Sequence, residues 1–423
     1  MTHHNHHSES DATFPHGDSC NGNHAVGGGH SHSILSRRNL LGLAGAAGLA
    51  AGMSPLLVGC GNTTSTGNER RGPLKIGYLP ITDAAPLLVA MREGYYTDLN
   101  VDVAAPTLFR GWDAITEAVR TNKVDIAHLL MPTALQLRMI QKSPVKVIAW
   151  NHMNGSALTV ATSGPPLEEL GGTTIAIPFW YSIHNISLQI LLAKAGLEPV
   201  ADGDPGPKQV KLVVMAPPDM LASLSSGAIA GYIVAEPFNA VAEVKGVGRI
   251  ERFTGDIWKD HACCVLVVNE KLIEESPDLV ERTIRAVAKA QLLCEADRTK
   301  AAGLLTSGDR PFLPQPPKAI ERVFNLYDSP EYIESGAIQH PDWGIDRVNF
   351  QPFPFQSFTE ELVVRLRGTL VQPASKFLDD VDPADVHRQL VDDQFARKAI
   401  QSLGGPTKFG LPENLTRTEL ISA

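Results

Sequence analysis

Leu74-Lys75-Ile76-Gly77-Tyr78-Leu79-Pro80-Ile81-Thr82-Asp83 decides the architecture of the chain. Apolar and other residues alternate from Leu74 to Leu79, the period of a strand, and Pro80 stops it because proline cannot donate to a ladder. From Asp83 to Glu93 the period changes. Leu87, Leu88, Ala90 and Met91 recur at helical spacing until Gly94. A strand that runs straight into a helix is half of a βαβ unit, and the pattern then repeats. Val101–Val103 reads as a strand, and Gly111–Thr121 as a helix with Trp112, Ile115, Ala118 and Val119 on one side. Val124–Leu130 and Val145–Trp150 read as further strands. Strands alternating with helices of this length predict right-handed crossovers and a largely parallel sheet.

A second series follows Gly164-Pro165-Pro166, where the chain is expected to leave the first lobe. Thr174–Pro178, Val210–Met215 and Gly231–Val234 read as strands, with helices at Ser187–Ala195 and Asp219–Ser226 between them. Cys263–Val268 returns the chain to the first lobe, and helices follow from Pro277 to Ala302. The expected organisation is lobe I over 73–165, lobe II over 166–255, a return to lobe I over 256–330 and an extension over 331–423. Two α/β lobes joined by crossovers leave a cleft between them, a favoured place for ligands and one that can close by hinge motion.

Ahead of the lobes lies an address. Ser36-Arg37-Arg38-Asn39-Leu40-Leu41 opens a run of Leu, Ala and Gly that ends at Leu57-Val58-Gly59-Cys60. The run is short and glycine-rich for a membrane span and suits the apolar region of a signal peptide. Paired arginines, an apolar run and small residues before a cysteine resemble twin-arginine lipoprotein signals, which implies lipid on the Cys60 thiol. Residues 1–59 are then the signal and 60–72 a polar tether. Eight of the 14 histidines fall in the first 32 residues, beside Cys20. Such a tract can bind metal, but it lies upstream of the expected cleavage point.

Composition narrows the function classes. The 423 residues are 43% hydrophobic and 20% charged, with a net charge of -9 and no basic stripe, so nucleic-acid binding has no support. Cys20, Cys60, Cys263, Cys264 and Cys294 show no C-x-x-C spacing and no zinc framework. The sequence therefore names no metal ligand and no cofactor. No nucleophile elbow or phosphate loop is present, and the chain is read as a binder, not an enzyme.

Further segments carry a family likeness. They are Lys75–Pro86, Trp112, Asp125-Ile126-Ala127-His128, Ile183-His184-Asn185, Ala235-Glu236-Pro237-Phe238-Asn239-Ala240, Ile257-Trp258-Lys259-Asp260-His261 and Pro352-Phe353-Pro354-Phe355-Gln356-Ser357. Together they resemble the nitrate- and bicarbonate-binding lipoproteins of ABC importers, within the nitrate/sulfonate/taurine group of periplasmic solute-binding proteins. The resemblance implies a two-lobed α/β periplasmic-binding-protein type II fold, each lobe a mainly parallel sheet flanked by helices, with a C-terminal helical extension. It also implies a small anion such as nitrate, nitrite or bicarbonate between the lobes, ABC permease subunits as partners, a monomer, and attachment outside the cell membrane through Cys60.

The same resemblance assigns ligand contacts to Trp112, Ser156, His184 and Cys264, with Thr82 and Asp83 at the cleft mouth. Trp112 offers an indole N–H, Ser156 a hydroxyl and His184 a ring nitrogen. His184 and Asn185 open a helix, whose free N–H groups favour negative charge. Trp112 can equally belong to the apolar face of its helix, His184 can be a satisfied loop histidine, and Asp83 is also read as the cap of the first helix. Glu236-Pro237 reads as a strand-to-hinge turn, and Cys263 and Cys264 as small buried hydrophobes. The nitrate binders place lysine where Cys264 stands and glutamine where Ser156 stands. The bicarbonate binders place an acidic residue at the former position, associated with calcium. Neither pattern is present, so the ligand stays open, with cyanate, a sulfonate or another small organic ligand as alternatives. A thiamine-pyrimidine-synthase-like enzyme, suggested by His184 and the paired cysteines, is the reading from another class.

Overall fold

The computed structural model describes residues 72–344 and 347–422. The twin-arginine signal, the histidine tract, Cys20 and Cys60 lie outside the described residues. No helix among the described residues is long and apolar enough to cross a membrane.

Among the described residues, twelve strands form two six-stranded sheets. In chain order they are β1 (Ile76–Tyr78), β2 (Thr107–Leu108), β3 (Ile126–Leu130), β4 (Val145–Asn154), β5 (Ser156–Ala161), β6 (Thr173–Ile177), β7 (Glu198–Val200), β8 (Gln209–Val214), β9 (Gly231–Ala235), β10 (Gly248–Phe253), β11 (Ala262–Asn269) and β12 (Val348–Asn349). The first sheet has the order β12-β4-β11-β3-β1-β2 and the second β10-β5-β9-β6-β8-β7.

The βαβ reading holds where helices separate the strands. β1 pairs in parallel with β2 and β3, and β6 with β8 and β9. The strands that carry the chain between lobes enter from the opposite end, so β11 runs antiparallel to β3 and β4, and β5 antiparallel to β9 and β10. Each sheet is therefore mixed, with a parallel part built from crossovers and an antiparallel part built from the linking strands.

The chain leaves the first sheet at Gly155, not at Gly164-Pro165-Pro166. β4 ends at Asn154, and β5, which begins at Ser156, already pairs with β9 of the second sheet. Asn154 (φ 56°) and Gly155 (φ 64°) both take the left-handed conformation that turns the chain. The Gly155 N–H donates to the Arg347 carbonyl and its own carbonyl accepts from the Glu236 N–H. One residue thus ties together the outgoing strand, the end of β9 and the C-terminal segment.

The helix Ala85–Arg92 has Pro86 in its first turn and buries Ala85 to Ala90. It packs against the long helix Pro277–Ala296. Gly94, at φ 73°, lets the chain turn out of it. The extension from residue 331 onward braces the first lobe. β12 adds to β4, and the Trp150 N–H donates to the Pro352 carbonyl. Trp150 meets Phe355 and Phe358 edge-on, at 5.6 and 5.0 Å between ring centres. It also reaches lobe II: the Leu370 carbonyl accepts from the Asn185 and Gln189 amides.

Candidate functional site

Where the lobes meet, buried polar groups converge from both sheets. Ser156 opens β5 immediately after the hinge glycine. The helix Ile183–Lys194 is capped by Ser182, whose hydroxyl accepts from the Asn185 N–H at 3.1 Å, and this cap fixes His184 in the first turn. The Ser156 hydroxyl and His184 Nε2 share a hydrogen bond of 2.9 Å. Both residues belong to lobe II.

Lobe I supplies the opposite wall. Cys263 Sγ stands 3.6 Å from Ser156 Oγ and 3.8 Å from His184 Nε2. Asp83, His152, Cys263 and Cys264 are fully buried with it. β11 is irregular against β4 between Ala262 and Cys264, opposite Met153 and His152. That irregularity brings both thiols within polar reach of Asp83, although neither oxygen of that carboxylate has a partner in hydrogen-bonding geometry. His152 Nδ1 lies 3.3 Å from Asp83 Oδ2.

The electrostatics follow from burial set against pairing. Burial alone would raise the Asp83 carboxyl, but the His152 charge beside it outweighs this and holds it well below the usual carboxylate range. Burial would lower the His152 ring, and the Asp83 charge overrides it and lifts it to about 9. His128 and His261 have no such partner, and burial drives them down to about 4 and about 3, so both stay neutral. The two thiols split. Burial raises both, but polar contact with Cys264 and the nearby histidines draws Cys263 down, while Cys264 is pushed up.

Glu236 opens the turn after β9. Its carboxyl accepts from Asn239 Nδ2 and the Ala240 N–H, and burial pushes it up to about 8, so it is neutral at ordinary pH. Thr82 ties lobe I to the same point: its N–H donates to the Glu236 carbonyl at 2.9 Å and its hydroxyl leans on the same oxygen at 3.3 Å.

The residues singled out in the sequence fare differently. Ser156 and His184 meet directly. Trp112 is buried, its indole N–H has no partner, and its ring meets His128 edge-on at 5.8 Å. His128 in turn accepts from the Leu79 N–H at 2.9 Å, a structural role. Asp83 does not cap the first helix. The cap position is Ala84, and Pro86 lacks one of the N–H groups that a cap would have served. The thiol that touches the Ser156–His184 pair is Cys263, not the Cys264 named from the sequence. His152, unsingled in the sequence, is central, and only its register beside Cys264 in the β4–β11 pair reveals it. Two open surface grooves, one around Met91 and Asn100 and one around Ala161 and Ile229, share no residue with this cluster.

The model of the NMT1-like family matches residues 67–305. A nitrate/nitrite binding protein, NrtA, from a Nostoc species is 24% identical over 259 residues, 56% of this chain and 57% of that protein. NrtA from a Synechocystis species is 24% identical over 345 residues, 74% of this chain and 75% of that protein. The chain thus spans little more than half the length of the Nostoc relative. The crystal structure of the periplasmic nitrate-binding protein NrtA from Synechocystis superposes with a TM-score of 0.66 at 20% identity, covering 82% of this chain and 92% of that one, so the two-lobed periplasmic-binding fold is shared. With the family model matched over more than half its length, the chain belongs to the NMT1-like family.

Proposed function

We propose that this protein is the solute-binding component of an ABC importer, working outside the cell membrane, and that its solute is a small anion of the nitrate, nitrite or bicarbonate kind. It captures and releases without chemistry. The observation that carries the reading is the meeting of two lobes at Gly155 over a fully buried polar cluster of Ser156, His184 and Cys263, with His184 Nδ1 and, in lobe I, the Trp112 indole N–H buried without a partner. Buried donors without acceptors are costly, and a ligand with several acceptor oxygens relieves that cost. The relatives named as nitrate-binding proteins support the same solute class. Full burial of Ser156 and His184 favours a small planar anion over a sulfonate with an organic tail.

Processing before Cys60 and lipid on its thiol would tether the lobes at the membrane surface, where the permease subunits stand. The ligand contacts are Trp112, Ser156 and His184, with Cys263 and Cys264 forming the lobe I wall and Thr82 and Asp83 behind it. The experiment is a thermal-midpoint screen of the purified protein against nitrate, nitrite, bicarbonate with and without calcium, cyanate, taurine and small sulfonates. An anion present at a hundred times its dissociation constant stabilises by about 2.7 kcal/mol. A rise with one small anion that disappears in Trp112→Ala and His184→Ala supports the assignment. No rise with any of the panel ends it.

A further inference from the structure

Asp83, His152 and Cys263 each offer one ligand atom, and the three atoms lie within 4.8 Å of one another with every residue buried. We infer that this cluster is a binding site for a divalent ion of the zinc class, held by the Asp83 carboxylate, a ring nitrogen of His152 and the Cys263 thiolate on lobe I, with a fourth position facing Ser156 and His184 of lobe II.

Three observations carry it. The first is spacing. Bonds of 2.0–2.3 Å to tetrahedral zinc put neighbouring ligand atoms about 3.3–3.8 Å apart. His152 Nδ1 and Asp83 Oδ2 are separated by 3.3 Å, the length of one such edge, and the Cys263 thiol lies within 4.8 Å of both. The second is the state of the ligand atoms. Both Asp83 oxygens and both His152 nitrogens are buried without a hydrogen-bond partner, a rare and costly condition for groups built to pair. An ion pair between them answers only one contact. A metal ion answers the carboxylate, the imidazole and the thiol together. The third is donor chemistry. A mixed oxygen, nitrogen and sulfur set suits zinc and its first-row neighbours, whereas calcium and magnesium take oxygen ligands.

Support around the ligands fits as well. The Asn151 amide donates to the Asp83 backbone carbonyl and holds that turn against β4. The ring of Phe350 lies 5.5 Å from that of His152, closing its outer side. The hinge leaves the ring room because position 155 is glycine: a methyl there would overlap it. The inference shares the cleft with the anion reading and rests on it for what occupies the fourth position. The three protein ligands stand independently of it.

The test uses the full chain, stripped with chelator and titrated with Co²⁺ as the spectroscopic stand-in for zinc. The histidine-rich N-terminus can take metal by itself, so the readout is the thiolate-to-cobalt charge-transfer band, not total uptake. The expected result is a band saturating at one equivalent, bleached by Zn²⁺, absent in Cys263→Ala and shifted or lost in His152→Gln, and retained in Cys20→Ser. No band, or a band unaffected by Cys263→Ala and His152→Gln, overturns the site. If Cys263→Ala fails to fold, His152→Gln decides alone. Anion binding measured on the chelated protein separates the two readings. Anion binding with no cobalt band refutes the metal site and leaves the solute assignment, whereas a cobalt band with no anion binding does the reverse.

Discussion

Gly155→Ala should be among the most damaging single-methyl changes this protein can suffer. Gly155 sits at φ 64°, where any other residue pays the left-handed penalty of about 1–2 kcal/mol. Its added methyl would also overlap the His152 ring, which Asp83, Cys263 and Phe350 flank. Forcing a methyl into packed surroundings costs about 1–3 kcal/mol more. The sum is about 2–5 kcal/mol. Gly196→Ala is the control. That glycine ends the helix Ile183–Lys194 at φ 69° with nothing within 4 Å of the added carbon, so it carries the conformational cost alone. Urea unfolding of the two variants, followed by tryptophan fluorescence and extrapolated to water, measures the difference. If Gly155→Ala costs no more than Gly196→Ala, the hinge is not packed against His152 and the account of the lobe junction fails.

Other expectations follow from the same geometry. His128 is held neutral in the fold at about 4 against an ordinary 6.5, so its contribution to stability is complete above about pH 6.5 and is lost as pH falls towards 4, at up to about 1.4 kcal/mol per pH unit. The stability of His128→Gln measured across that window should fall less steeply than that of the wild type; parallel profiles would remove His128 as the cause. Trp112→Phe removes an N–H that has no partner together with part of a buried ring, so the unfolding midpoint should fall with the cavity left behind while anion affinity drops by a factor of about 2–12, equivalent to one hydrogen bond. Calorimetric titration checks the affinity, and an unchanged dissociation constant would return Trp112 to the core. Asp83→Ala leaves the His152 charge buried without its partner and should cost about 3–5 kcal/mol in chemical unfolding. A loss below about 1 kcal/mol would mean that the pair is not ionised.

The fold was legible because its logic is local. Strand period, proline stop and helical spacing in Leu74–Gly94 recur along the chain, and β1, β3, β6, β8, β9 and β11 all fall where that pattern puts them. The lobe junction was not legible. Val145 to Ala161 is one nearly unbroken buried stretch, and the turn inside it is made by two left-handed residues, Asn154 and Gly155, a weaker signal than the prolines at 165 and 166. At the site, Ser156 and His184 were reachable through family likeness and do meet. His152 and Cys263 were not, because their meeting depends on the register of β4 against β11, which is irregular between Ala262 and Cys264. Spacing within a sequence carries no information on cross-strand register between elements more than a hundred residues apart. The Asp83 cap was misread for a related reason: its side chain is claimed by His152, a long-range partner.

The measurement that bears most directly on the central claim is a calorimetric titration of the purified protein with nitrate, nitrite and bicarbonate, repeated on Ser156→Ala combined with His184→Ala. The account predicts one site per chain for one of these anions in the wild type, and no measurable heat from the double variant at the same concentrations with its thermal unfolding still cooperative. Binding that survives the loss of both side chains, or no binding of any anion by the wild type, would contradict it.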